Sequence, residues 1–180
     1  MIVFYFLAVG ASFLLSATVG LGGSLIAVPA MIAFLGVKTG VAMAAILLAS
    51  NNIGKVIAYR RTIPWRSASF LAGLNMLGAF IGAHLLVAIA PRWVMIIVLI
   101  SLLWSLFTEA MSRFSCLPSP HFTAKKSWLI TGLYSLASGL TSGISGTSGP
   151  LKGLAIRYFA RDRRYYAGAA SLISCLGDIT

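Results

Sequence analysis

The sequence predicts an all-α, polytopic transmembrane helical protein with two inverted repeats, each opening with a glycine-broken re-entrant helical hairpin. Three observations predict it. The chain is 59% hydrophobic and only 9% charged, whereas a soluble domain of this size is about 25% charged. Several apolar runs reach the roughly 20 residues that a helix needs to cross a bilayer. Two glycine-rich breaks interrupt those runs, Gly20-Leu21-Gly22-Gly23-Ser24 and Gly143-Ile144-Ser145-Gly146-Thr147-Ser148-Gly149-Pro150. Lipid offers no water to backbone groups freed by a broken helix, so such a break packs against protein or lines a cavity.

Taken in order, the apolar segments are 2–19, 24–36, 41–58, 67–90, 93–111, 127–142, 150–159 and 165 to the last residue. The first run has no basic residues before it and reads as a retained span rather than a secretory signal. As one helix, 2–36 would be about 52 Å long against a hydrocarbon core of roughly 30 Å. The glycines of 20–23 are therefore expected to turn the chain back. Loop charge extends the argument. Arg60, Arg61 and Arg66 occupy 59–66, Arg113, Lys125 and Lys126 occupy 112–126, and Arg157, Arg161, Arg163 and Arg164 occupy 157–164. The remaining connections, 37–40 and 91–92, hold only Lys38 and Arg92. Cytoplasmic loops concentrate lysine and arginine. All three basic stretches share one side only if 127–159 enters and returns as a second hairpin.

The two hairpins then face opposite ways, which is the plan of an inverted repeat. An offset of 126 residues aligns Leu7 with Leu133, Ala11 with Ala137, Ser16 with Ser142, Gly20 with Gly146, Gly23 with Gly149 and Ala44 with Ala170. It also pairs Lys38 with Arg164 and Asn52 with Asp178. The division that follows is a first repeat over 1–111, a cytoplasmic loop over 112–126 and an incomplete second repeat over 127–180. Counterparts of 67–90 and 93–111 are expected beyond Thr180, so the chain reads as an amino-terminal fragment.

Paired breaks at matching positions of two repeats are the sequence mark of a transporter's binding site. A helix that starts inside the membrane directs unpaired N–H groups and a partial positive charge out of its first turn, which suits an anion. The helical pieces that start near Ser24 and Pro150 have this character, and Pro150 suits a first turn. Candidate substrate-binding residues are therefore Gly20, Gly22, Gly23, Ser24, Ser145, Gly146, Thr147, Ser148 and Gly149. The alternative is that these glycines only permit close helix packing.

Ionisable groups at membrane depth are functional candidates by default. Lys152 lies just after Pro150, Lys55 follows Asn51 and Asn52, and Asp178 occupies the equivalent place in the second unit. All five join the candidate site. Lys55 could instead snorkel to the interface, and Asp178 could pair with a lysine or carry a coupling proton. Asn75, Gly78, Gly82 and His84 suggest a packed interior face. Trp65, Trp93 and Trp128 stand at span edges as interfacial anchors. Cys116 and Cys175 lie in a loop and a span, which does not make a disulfide framework. The net charge of +11 is spread over short loops rather than gathered on one face, so nucleic acid is not the expected partner. The expected partners are a small anionic substrate, the lipid bilayer and a coupling ion, proton or sodium. No cofactor or metal is expected.

The segments Gly22-Gly23-Ser24-Leu25-Ile26-Ala27-Val28-Pro29, Ala49-Ser50-Asn51-Asn52-Ile53-Gly54-Lys55, Thr62-Ile63-Pro64-Trp65, Ser142 through Gly153 and Gly168 through Asp178 resemble the sulfite exporter TauE/SafE family. The resemblance spans nearly the whole chain. It implies a membrane transporter, an exporter of sulfite and organosulfonates such as sulfoacetate, in the bacterial inner membrane. The family has a fuller triple glycine where Ser24 stands here, and its pattern continues past Asp178 to a lysine.

Two other readings compete. Gly146-Thr147-Ser148-Gly149 looks like the nucleophile signature of an intramembrane serine protease, which would need a base beside Ser148. A non-transporting assembly protein would tolerate apolar replacements at Lys152 and Asp178.

Overall fold

The computed structural model describes residues 24–114, 124–147, 149–157 and 163–180. The segment 2–19, the break residues Gly20, Gly22 and Gly23, and Ser148 lie outside the described residues. Among the described residues there are seven helices and no strand. They are α1 (Ser24–Leu35), α2 (Val37–Tyr59), α3 (Trp65–Ala88), α4 (Pro91–Phe114), α5 (Ala124–Ser145), α6 (Gly149–Arg157) and α7 (Arg163–Ile179). Val37–Tyr59, Trp65–Ala88 and Pro91–Thr108 are long and apolar enough to cross a membrane.

α1 and α2 are joined by Gly36 alone, not by the expected connection 37–40. Gly36 has φ +82°, a backbone state that costs glycine little, and this reverses the chain within one residue. Its N–H donates to the Ile32 carbonyl at 3.0 Å and its own carbonyl accepts from the Gly40 N–H at 2.8 Å. Gly40 lies against the backbone of Met31 and Ile32, where a Cβ would collide. The following spans also shift from the expected 67–90 and 93–111. α3 ends at Ala88 because Ile89 is extended (φ −78°, ψ 142°). Pro91 then opens α4, at a position where a missing N–H costs nothing.

The closest helix pairing is α3 with α5. Gly78 and Gly82 on α3 face Leu136, Leu140 and Gly143 on α5, while Gly139 and Gly143 meet the backbone of Asn75, Ala79, Gly82 and Ala83. Small residues let membrane helices approach to backbone contact in this way. The two helices run parallel. Phe70 stacks edge-on against Trp128 at 5.7 Å near the start of both, the Ser135 hydroxyl donates to the Leu71 carbonyl at 2.7 Å, and further along Gly139 meets Asn75 and Gly143 meets Ala79.

α7 follows the same direction. Its Gly168 lies beside Thr62 and Ile63, just before α3, and Asn75 donates to the Ile173 carbonyl at 3.1 Å. Asn75 is buried, and its Oδ1 is left without a partner. α2 runs opposite to α7. Lys38, at the start of α2, donates to the Val87 carbonyl at the far end of α3, 2.7 Å away. The starts of α3, α5 and α7 and the end of α2 therefore gather at one end of the bundle. By sequence, the three basic connections all adjoin that end.

One expectation needs correction. Asn75, Gly78 and Gly82 do form a buried face, but His84 is exposed and packs edge-on against Phe80 at 4.6 Å. Two helical steps from Gly82 rotate it by about 200°, to the opposite side of α3.

Candidate functional site

α5 and α6 are separated at Gly146, whose φ of +69° ends α5 in the left-handed region that glycine accepts. The Gly146 N–H donates to the Ser142 carbonyl at 2.7 Å, and the residue rests on the side chains of Val28 and Val41. Ser145 is fully buried and donates to the Thr141 carbonyl at 2.7 Å. Its oxygen accepts the Thr147 N–H at 3.3 Å and lies 2.9 Å from the Thr147 hydroxyl. Thr147 in turn donates to the Ser101 hydroxyl on α4 at 2.9 Å, and Ser101 donates to the Val98 carbonyl at 2.8 Å. The break is thus braced from inside by hydroxyls. α6 then starts at Gly149, so the N–H groups of its first turn have no partner within the helix.

A second group of side chains lies beside this break. Asp178 accepts from Asn52 Nδ2 through Oδ2 at 2.8 Å, and from the Ser142 hydroxyl through Oδ1 at 3.5 Å. Lys152, in the first turn of α6, donates to the Ser174 hydroxyl. The Lys152 ammonium is also within electrostatic reach of Asp178 and of Lys55. Helical spacing explains the convergence. Asn52 and Lys55 are three apart on α2, and Ser174 and Asp178 are four apart on α7, so each pair shares a face. The cluster draws on α2, α5, α6 and α7. Asn52 stands seven residues before the end of α2, roughly 10 Å inside the basic end of the bundle.

Of the candidates named from sequence, Asn52, Lys55, Lys152 and Asp178 come together. Ser145, Gly146, Thr147 and Gly149 form the adjoining break. Ser24 begins α1, and Asn51 is half-buried on α2 one position from Asn52. Gly20, Gly22, Gly23 and Ser148 lie outside the described residues. Sequence reasoning missed Ser174, Ser101 and the role of Ser142. For Ser142 a signal existed, because the internal offset pairs it with Ser16. For Ser174 the signal was its place one turn before Asp178. Cys175 is a free, buried thiol on α7, next to Ser174.

A family model described as Sulfite exporter TauE/SafE matches residues 4–180. The chain belongs to this family. TauE/SafE proteins are membrane transporters, and the apolar helices described above accord with that. Searches among curated proteins and among solved structures gave no match.

Proposed function

We propose that the protein exports small sulfur-containing oxyanions or organosulfonates, sulfite among them, across the bacterial inner membrane. The passenger is held at the α5–α6 break and the adjoining cluster. The observation that carries this reading is the meeting of Asn52, Ser142 and Lys152 at the Asp178 carboxylate, with Ser174 and Lys55 beside Lys152, at the start of a helix inside an apolar bundle. Two ammonium groups, two hydroxyls, an amide and the N-terminal end of a helix dipole all stabilise a compact oxyanion. Ionisable groups at this depth are expensive unless they face a substrate path or one another.

The reading includes two inverted repeats, the first over 1–111 and an incomplete second over 127–180, joined by a cytoplasmic loop at 112–126. In each repeat a re-entrant hairpin supplies one broken helix, with Gly20, Gly22, Gly23 and Ser24 as the first counterpart of the described break. One contact supports this directly. Asn52 and Asp178, the residues that the 126-residue offset pairs, are hydrogen-bonded to each other. Near a two-fold axis a residue meets its own symmetry mate. The shared end of the basic connections supports the second hairpin, because α6 must return for α7 to begin beside α3. The protease reading gains nothing, since His84 faces outward on α3.

The test is transport by the reconstituted protein over a panel of sulfite, sulfoacetate and simple sulfonates. The wild type is expected to move at least one of them. Lys152→Gln is expected to lower the rate tenfold or more while the protein stays monodisperse. A wild type inert to the whole panel contradicts the proposal.

A further inference from the structure

We infer that Asp178 is the site's resident anion, which yields Lys152 to the arriving passenger and takes up one proton as it does so, making the protein a proton–anion cotransporter. The inference rests on the export reading above and names its coupling ion.

The geometry is that of an occupied site. Asp178 accepts from Asn52 and Ser142 and lies in the field of Lys152, whose ammonium is steadied by Ser174. The groups that would hold a sulfonate are thus the groups that hold the carboxylate. A passenger bound to Lys152 therefore places a second negative charge beside Asp178, in a part-buried cluster between four packed helices. Two adjacent acidic groups in such surroundings do not both stay ionised, and they share one proton. Sulfonic acids are far too strong to hold that proton, so it goes to Asp178. In balanced form, the ionised pair of Asp178 and Lys152, a sulfonate anion and one proton become a neutral Asp178 carboxyl and a sulfonate on protonated Lys152. Proton and anion enter together, and the site's net charge does not change.

The groups around Asp178 allow this exchange. α6 presents Lys152, α2 presents Asn52 and Lys55, and α5 presents Ser142. α3 brings Asn75 beside Gly177, and Ser174 and Cys175 lie on α7 itself. Lys152 lies within electrostatic reach of both Lys55 and Asp178. Asn52 and Ser142 each retain a partner when the carboxyl is protonated, because one oxygen still accepts from each. Nothing needs to unfold for the carboxylate to become neutral.

The experiment uses the whole chain in sealed liposomes with an internal pH dye and an inward gradient of whichever simple sulfonate the wild type carries. Methanesulfonate is the first choice because it stays ionised throughout. The wild type is expected to acidify the interior at one proton per sulfonate, to run faster as external pH falls, and to ignore an imposed potassium diffusion potential. Asp178→Asn keeps the shape and the Asn52 contact; its proton-to-sulfonate ratio is expected to fall from one to zero, with a rate that now follows the potential. Asp178→Glu is expected to restore the ratio of one, which keeps the test open if the asparagine variant is inactive. Sulfonate flux in the wild type without proton flux would overturn the coupling and leave the transport reading intact. An asparagine variant that still carried one proton would overturn the assignment to Asp178. If the wild type moved no sulfur anion at all, both readings would fail together.

Discussion

The α3–α5 seam and the α2–α7 crossing both hold polar groups inside an apolar bundle, yet they are built in opposite ways. At the seam, glycines bring two backbones into contact, and the Ser135 hydroxyl bonds across it to the Leu71 carbonyl, much as Asn75 of α3 bonds to the Ile173 carbonyl of neighbouring α7. At the crossing, side chains bond to side chains, and the partners include ionisable groups. Carbonyls inside a helix are fixed acceptors that offer nothing to a passenger. Ammonium, hydroxyl and carboxylate groups can exchange partners. The contrast teaches that a buried polar residue in a membrane helix marks a site by the kind of partner it has, not by its depth.

The largest expected effect comes from prising the seam apart. In Gly143→Leu the new side chain must enter the backbone of α3, and overpacking of this kind costs about 1–3 kcal/mol or more. Loss of a monodisperse peak in detergent is the expected outcome, and a well-folded Gly143→Leu protein would show that the seam is loose. At the crossing the effects should separate from stability. Asn52→Ala removes the 2.8 Å bond to Asp178 and is expected to cut transport by roughly tenfold while melting within a few degrees of wild type. Ser135→Ala should do the reverse, losing about 1 kcal/mol of stability with transport unchanged. Ser101→Ala removes the brace between α4 and Thr147 and is expected to cost a similar or smaller amount, with a modest rise in the substrate concentration needed for half-maximal rate. His84→Ala, on the outward face, should change neither quantity.

Much of the fold was legible because lipid imposes a simple rule, that long apolar runs become helices. The spans around 41–58, 67–90 and 93–111 appear as α2, α3 and α4 with ends shifted by a few residues. Those shifts came from backbone detail that hydropathy does not encode: one residue, Gly36, suffices for a reversal, and Pro91 begins a helix rather than ending a loop. The second break was legible from its glycines, and Lys152 and Asp178 from the cost of charge in lipid. Ser142 and Ser174 were harder to see, because serines in membrane helices commonly bond back to their own helix, as Ser171 does to Ala167. The glycines of α5 had a readable signal in the four-residue spacing of Gly139 and Gly143, matched by Gly78 and Gly82. His84 was misplaced because its neighbours in sequence are not its neighbours on the helix face.

Everything proposed for the site requires α2 and α7 to be equivalent elements of opposite orientation, crossing at Asn52 and Asp178. The direct measurement is labelling of intact cells with a membrane-impermeant thiol reagent, with Cys116 and Cys175 replaced by serine and a single cysteine introduced as Lys38→Cys or Arg164→Cys. These two positions are partners under the 126-residue offset and begin α2 and α7 at opposite ends of the bundle. The expected result is labelling at position 38 from outside the cell, and at 164 only after the membrane is opened. Equal accessibility of both from the same side would contradict the account.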